Sequence, residues 1–254
     1  MATQILGDSS LRVRVYRPED FRQVEAVFYE GMAYGLGSPA DHSARAFYRH
    51  PFSGFVYLSG AISAWLISRT KHISPALCTA GILSAAGGVL AYVLWIPRQS
   101  RNMMVEYCEQ CFREDLNDIT KHYRLEPTDD GDYQPTSSSC FWVAEQKSDS
   151  GEGYKIVGCI GLDTPDGSSV GEVRRLSVLH SQRGKGIGSL LLRIVTAFAK
   201  QTKLTSLRLT TSTFQPDAMR LYTRLGWKNT ETVKFKGNMM SSQFYLATMN
   251  YFEL

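Results

Sequence analysis

The chain lacks the marks of an exported or nucleic-acid-binding protein. Its five cysteines (Cys78, Cys108, Cys111, Cys140 and Cys159) are odd in number and unevenly spaced. That pattern excludes a secreted disulfide framework and implies reduced thiols in a reducing compartment. No cleavable signal peptide is expected at its start, because the first residues are polar and the first long apolar run begins only near Phe52. Charge of one sign is scarce as well. Lys and Arg total 28 against 24 Asp and Glu, a net +4 spread along the sequence rather than gathered on one helix or tail, so no nucleic-acid partner is expected. Cys108-x-x-Cys111 falls on one helix face without a second pair or neighbouring histidines, so no metal centre is expected either. There is no internal repeat and no Ser/His/Asp nucleophile pattern.

What the chain does have is apolar length. Phe52 to Ser68 and Ile73 to Ile96 are free of charge and separated by the basic tetrapeptide Arg69-Thr70-Lys71-His72. Roughly 20 apolar residues at about 1.5 Å each cross a bilayer. The second run suffices with some tilt, and the first needs snorkelling from Arg49 and Arg69 or a thinned membrane. A buried hairpin in a soluble core is the alternative. It would normally keep a solvated stripe, which neither run has. Small residues at Gly60/Ala64 and Ala80/Ser84/Gly88 also suit two membrane helices in contact. The expected organisation is a transmembrane hairpin over 52–96, inserted between a first strand and helix (11–35) and the rest of one domain (99–254). Arg45, Arg49, Arg98 and Arg101 flank the side shared by both chain ends, against Arg69 and Lys71 in the connection, and this bias points the domain to the cytosol.

Outside the hairpin, Leu11 to Arg17 alternates like a half-buried strand, and Pro18-Glu19-Asp20 starts a helix to about Tyr34. An amphipathic helix follows Pro97, with Met104, Cys108, Cys111, Phe112, Ile119 and Tyr123 at helical spacing. Glu126 to Ser139 reads as an exposed loop. Cys140 to Glu145 and Tyr154 to Leu162 predict an antiparallel hairpin about the turn Ser148 to Gly153, followed by a strand from Glu172 to Leu179. A helix over Ile187 to Gln201, a strand over Ser206 to Thr211, a helix over Pro216 to Leu225 and two strands between Trp227 and Phe252 complete a mixed α/β sheet.

Between that third strand and its helix lies Gln182-Arg183-Gly184-Lys185-Gly186-Ile187-Gly188-Ser189. Free N–H groups at a helix start attract phosphate, glycines let the backbone approach it, and Arg183 and Lys185 add charge. The spacing fits neither the dinucleotide fingerprint nor the P-loop, since Lys185 is followed by Gly. By itself the segment reads equally as an ordinary glycine-rich turn.

Its neighbours decide the matter. Arg175-Leu-Ser-Val-Leu-His-Ser-Gln-Arg-Gly-Lys-Gly-Ile-Gly-Ser-Leu-Leu-Leu, with Gln215-Pro-Asp-Ala-Met-Arg-Leu-Tyr-Thr-Arg-Leu-Gly-Trp downstream, closely resembles the GNAT superfamily of N-acetyltransferases. The inserted hairpin, Asp118-Ile-Thr-Lys, Cys140-Phe-Trp-Val-Ala-Glu and Gln215 further resemble its camello-like membrane-anchored branch. The resemblance implies a GNAT-type sheet, mixed and mostly antiparallel, flanked by helices. It implies acetyl-CoA as cosubstrate in a splay between Glu172–Leu179 and Ser206–Thr211, with backbone groups near Leu176 and Val178 pairing with pantetheine. It further implies an amine acceptor (a protein lysine or a small amine such as an amino acid or cysteine conjugate), a lipid bilayer as partner, and the endoplasmic reticulum as the expected membrane.

Acetyl transfer from thioester to amine needs two proton transfers, each worth roughly 10²- to 10⁴-fold. Tyr222 matches the family's tyrosine that protonates the departing thiolate; packing on an amphipathic helix is the plainer role. Glu172 stands where some members carry a general base, and equally it reads as a strand-start carboxylate paired with Arg174. Arg175 reads as a substrate-orienting cation or as one half of an ion pair, His180 as a solvated turn histidine or a cofactor contact, and His122 as a surface side chain. A non-catalytic acyl-CoA sensor or scaffold would keep the same phosphate loop.

Overall fold

The computed structural model describes residues 4–5, 11–70, 74–147, 153–234 and 245–251. The turn expected from Ser148, the Lys71-His72 part of the basic connection, Ile73 and the far end of the last strand at Phe252 lie outside them.

Strands β1 (Gln4–Ile5) and β2 (Leu11–Val15) open the chain. Helix α1 (Phe21–Tyr29) buries Val24, Val27 and Phe28 at helical spacing and widens into a π turn at Glu30–Tyr34. Next comes α2 (Pro39–Tyr48), which the periodicity reading passes over. Its start is marked by Ser38, whose Oγ accepts the Asp41 N–H at 3.3 Å, and by proline at the first helical position. Helices α3 (Pro51–Arg69) and α4 (Pro75–Arg113) follow, then the short α5 (Ile119–His122). The remainder is β3 (Leu125–Pro127), β4 (Tyr133–Pro135), β5 (Cys140–Lys147), β6 (Tyr154–Asp163), β7 (Val170–Val178), α6 (Ile187–Gln201), β8 (Ser206–Ser212), α7 (Pro216–Arg224), β9 (Lys228–Lys234) and β10 (Tyr245–Tyr251). The segment expected to be an exposed loop therefore holds a small antiparallel pair, β3 with β4.

The main sheet runs β1-β2-β5-β6-β7-β8-β10-β9. Every neighbouring pair is antiparallel except β7 with β8. Successive strand side chains point to opposite faces. In β5, Phe141 accordingly meets Tyr16 and Tyr123 on one face while Trp142 meets Phe198 of α6 on the other. Phe112 of α4 stacks on Tyr29 and meets Phe21 and Phe28 edge-on, joining α4 to α1.

Helix α4 runs unbroken through Pro97, from the apolar stretch into the core, across the boundary expected at residues 96–99. Proline has no N–H, so the carbonyl four residues back, on Val93, loses its helical partner. The Tyr48 hydroxyl donates to that carbonyl at 2.9 Å. Around this bond Ala44, Phe47 and Ile96 form a small buried cluster, flanked by Tyr48 and Tyr92. Beyond it, α3 and α4 leave the domain. Phe55 (72 %), Trp65 (57 %), Leu77 (65 %) and Leu83 (71 %) are exposed, so the hairpin is no buried core element. The two helices meet at glycines, where a Cβ on Gly60 would lie 2.5 Å from Val89 and one on Gly81 2.9 Å from Ile67. Gly88, expected in that contact, faces open space.

Candidate active site

Strands β7 and β8 pair from Val170↔Ser206 to Val173↔Leu209 and then part. The cause lies in β7. Its register against β6 shifts between Cys159 and Gly161, and Arg175 takes a left-handed backbone with φ 59°. That conformation costs a non-glycine residue roughly 1–3 kcal/mol. Side-chain bonds offset it. The buried Arg175 guanidinium donates Nε–H to both Asp115 oxygens (3.0 and 2.9 Å) and Nη1–H to Cys111 Sγ (2.7 Å) and Tyr107 Oη (3.2 Å). Asp115 is fully buried and also accepts the Tyr123 hydroxyl at 2.6 Å. Of the two roles open to Arg175, the ion pair is the one the structure contains. Past the bulge the Leu179 N–H bonds back to Val157 at 2.9 Å, so by strand alternation Leu176 and Val178 turn their backbone groups into the gap.

At the mouth of this V lies the start of α6. Gly184 and Gly186 adopt φ 79° and 84°, and a Cβ on either would find nothing within 4 Å. No side chain caps Gly186. Among the described residues no backbone acceptor takes the N–H groups of Ile187, Gly188 and Ser189, which point outward as the positive end of the helix dipole. A groove of about 1030 Å³ joins the two features; Leu176, Val178, Gln182, Arg183, Gly184, Gly186, Ile187, Gly188, Ser189 and Gln215 line it, with Gly31, Met32, Gly37 and Pro39 on the facing wall. Gly188 lets α7 close in, since a Cβ there would stand 3.0 Å from Leu221.

Several side chains stand differently from expectation. Arg183 is no free phosphate cation. Its N–H groups are spent on the carbonyls of Val178 (3.3 Å), Gly31 (3.2 Å), Gly37 (3.1 Å) and Leu36 (3.4 Å), tying the loop to the segment before α2. Lys185 turns to Gln182 Oε1 at 2.8 Å, in the open. Gln215 caps the wall, accepting from Thr211 Oγ1 at 3.1 Å. His180 is held through its N–H, which donates to Glu30 at 3.0 Å. His122 lies 3.2 Å from Asp163 rather than in solvent alone. Cys108 and Cys111 are buried, and burial pushes the Cys108 thiol up to about 12.

Tyr222 is buried (7 % exposed) behind the groove wall that Leu221 and Thr223 form, with its ring beside Trp227. Burial, then the nearby Tyr107, raises its pKa well above the ordinary value of 10.0, so the phenol stays protonated. Glu172 sits in the last-but-one β7–β8 pair, at the apex of the V rather than along the groove. Its oxygens face Arg174 at 3.9 Å and Arg208 at 3.5 Å. The structure thus gathers the backbone and glycine positions into one cleft, while Glu172 and Lys185 lie at its margins. Asp115, Gly31 and Pro39 were not singled out from sequence, because only the tertiary fold joins them to this cleft.

Comparison with known proteins agrees with this geometry. The family model described as acetyltransferase (GNAT) family matches residues 102–227. Human N-acetyltransferase 8B is 30 % identical over 222 residues, covering 86 % of this chain and 84 % of that protein. N-acetylaspartate synthetase of Xenopus tropicalis is 29 % identical over 233 residues, covering 92 % of this chain and 75 % of that protein. A solved structure of a GCN5-related N-acetyltransferase from Kribbella flavida aligns over 95 % of this chain and 97 % of its own, at 13 % identity and a TM-score of 0.49. Descent shared with an N-acetyltransferase across nearly the whole chain makes this a member of the GNAT acetyltransferase family, of its camello-like N-acetyltransferase 8 branch, and an acetyl-CoA-dependent enzyme.

Proposed function

We propose that the chain is a membrane-anchored N-acetyltransferase that moves an acetyl group directly from acetyl-CoA to a primary amine. The observation that carries this is the parting of β7 and β8 above an uncapped helix start. Backbone groups of Leu176 and Val178 bind the pantetheine arm. The N–H groups of Gly186, Ile187, Gly188 and Ser189, with Gly184 leaving room, hold the pyrophosphate, while Lys185 lends exposed charge and Gln182 and Gln215 border the arm. The fit is good, because both loop glycines leave open space where a ligand would lie. When bound, the donor supplies an activated thioester carbonyl.

This chain's part is to orient that carbonyl and to move two protons. Tyr222, neutral and without a hydrogen-bond partner among the described residues, is assigned to protonate the leaving sulfur. Glu172, at the apex of the V, is assigned to take the amine proton, for which Arg208, 53 % exposed, must release it. Helices α3 and α4 are long and apolar enough to cross a membrane and are read as an anchoring hairpin. The charge asymmetry of Arg45, Arg49, Arg98 and Arg101 against Arg69 and Lys71 supports a cytosolic catalytic domain, and the family resemblance is what suggests the endoplasmic reticulum as its membrane.

The acceptor is a small amine or a protein lysine, and the test is a panel of both. Full-length protein with acetyl-CoA should release thiol only with certain acceptors, each yielding an acetylated product by mass. Tight donor binding with no thiol release across the panel would favour a sensor. Protease protection in sealed microsomes reads the orientation.

A further inference from the structure

The buried face of α2 is Ala40, Ser43, Ala44 and Phe47. At 100° per residue, His42, Arg45 and Arg49 fall diametrically opposite it. They line a separate cleft of about 420 Å³ against Thr213 and Phe214 in the turn between β8 and α7. None of them belongs to the donor groove, although α2 contributes Pro39 to that groove from its other end. Arg45 shares its charge with Asp41 at 2.9 Å, while Arg49 makes no ion pair among the described residues.

The level of this cleft is informative. Arg49 lies two residues before α3 begins at Pro51. Arg98 and Arg101, both exposed, leave the apolar run of α4 at the same junction. Phe52, Tyr57 and Trp95 surround Tyr92 there with ring centroids at 6.2 Å, an aromatic belt of the kind found at a membrane–water boundary. Beside a membrane spanned by α3 and α4, a concave site walled by two arginines and a histidine at that level would face lipid phosphates.

We infer that the cleft formed by His42, Arg45 and Arg49 against the β8–α7 turn binds the headgroup of an anionic phospholipid. The inference rests on the membrane reading of α3 and α4. Guanidinium groups match a phosphate diester by forked N–H donation. Each basic residue near an anionic surface is worth roughly fivefold in partition, less for Arg45 because of Asp41.

The test uses the full chain reconstituted in bilayers of phosphatidylcholine with phosphatidylserine as the minor component. Lipid retained after detergent exchange is counted by mass spectrometry. The wild type should enrich phosphatidylserine, and Arg45→Gln with Arg49→Gln should cut that enrichment roughly tenfold. Lysine at both positions, which keeps the charge without the fork, should keep only part of it, and Arg69→Gln, at the far end of α3, should leave it unchanged. Equal enrichment in the glutamine pair and the wild type would overturn the site. Displacement of the lipid by millimolar inorganic phosphate would overturn a lipid in favour of a free anion. Alkaline extraction separates the two readings, since release of the protein defeats the membrane hairpin, while retention without enrichment defeats only the lipid site.

Discussion

Replacing Asp115 tests how the donor cleft is held open. The carboxylate is fully buried and faces an Arg175 side chain that is 6 % exposed. Removing one member of such a pair strands the other charge away from water, at about 3–5 kcal/mol. Asp115→Ala should therefore lower unfolding stability by about that much, a large share of the roughly 5–15 kcal/mol a domain has. The same change frees Arg175 from its left-handed bulge, so β7 can pair further along β8 and the KM for acetyl-CoA should rise more than kcat falls. Asp115→Asn, which keeps an acceptor for one N–H, should be intermediate.

There is also a pH signature. Burial raises the Asp115 pKa, but hydrogen bonds and charge from Arg175, then the Tyr123 hydroxyl, outweigh it, and the net value lies below the ordinary 3.8. A depressed acid contributes stability that is complete above its unfolded value and disappears as pH falls through the folded one. Acid unfolding should thus carry a component below pH 3.8 that Asp115→Asn lacks. Denaturant melts in detergent from pH 2 to pH 7, with acetyl-CoA kinetics on the same samples, read all of this. A loss under about 1 kcal/mol with unchanged KM would refute the account of the splay.

Three further outcomes follow from the same geometry. Tyr222→Phe should lower kcat by about 10²–10⁴ with little change in acetyl-CoA KM, and Glu172→Gln should do likewise; full activity in both would remove the proton-transfer roles. Gly186→Ala, at φ 84° with no steric neighbour, should cost about 1–2 kcal/mol from backbone conformation and weaken donor binding, read by calorimetry. Tyr48→Phe should cost about 1–3 kcal/mol by orphaning the Val93 carbonyl, whereas in a Pro97→Ala background, where an N–H returns to that carbonyl, the same change should cost little; equal costs in both backgrounds would disprove the capping role.

How far the sequence could be read depended on whether the signal was local. Helix α6 was legible because its apolar period sets its burial, and β5 and β6 because each is a short, nearly continuous apolar run, as a strand covered on both faces requires. The continuity of α4 was not, because proline normally ends a helix and the residue that repairs it, Tyr48, lies 45 positions before the Val93 carbonyl it serves. Helix α2 carried readable marks in Ser38 and Pro39, yet its apolar face is short and half of it packs on the hairpin rather than the sheet. In the site, the glycine spacing marked a turn at Gly184 and Gly186 with φ near 80°, a conformation glycine takes without a Cβ penalty. Arg183 misled for the opposite reason. A guanidinium beside a phosphate loop looks like a phosphate ligand, and only the fold shows carbonyls from the segment before α2 reaching it first.

The unbroken α4 also narrows the acceptor. Tyr107, Cys111 and, just past its end, Asp115 hold the Arg175 bulge, and the same helix carries the apolar run that ends at Ile96. At 1.5 Å per residue Cys111 stands about 22 Å beyond Ile96 along the axis. A typical tilt of about 20° shortens that by only about 1 Å. The headgroup layer extends roughly 5–8 Å beyond the hydrocarbon. Under the membrane reading, an amine fixed at headgroup depth does not reach the apex of the V, whereas a soluble amine or a lysine on a projecting protein segment does. Proteoliposomes containing phosphatidylethanolamine should therefore give no acetylated lipid while an added soluble acceptor in the same vesicles is turned over. Acetylation of the lipid amine at a comparable rate would mean that the helix lies flatter on the membrane than its continuity into the core implies.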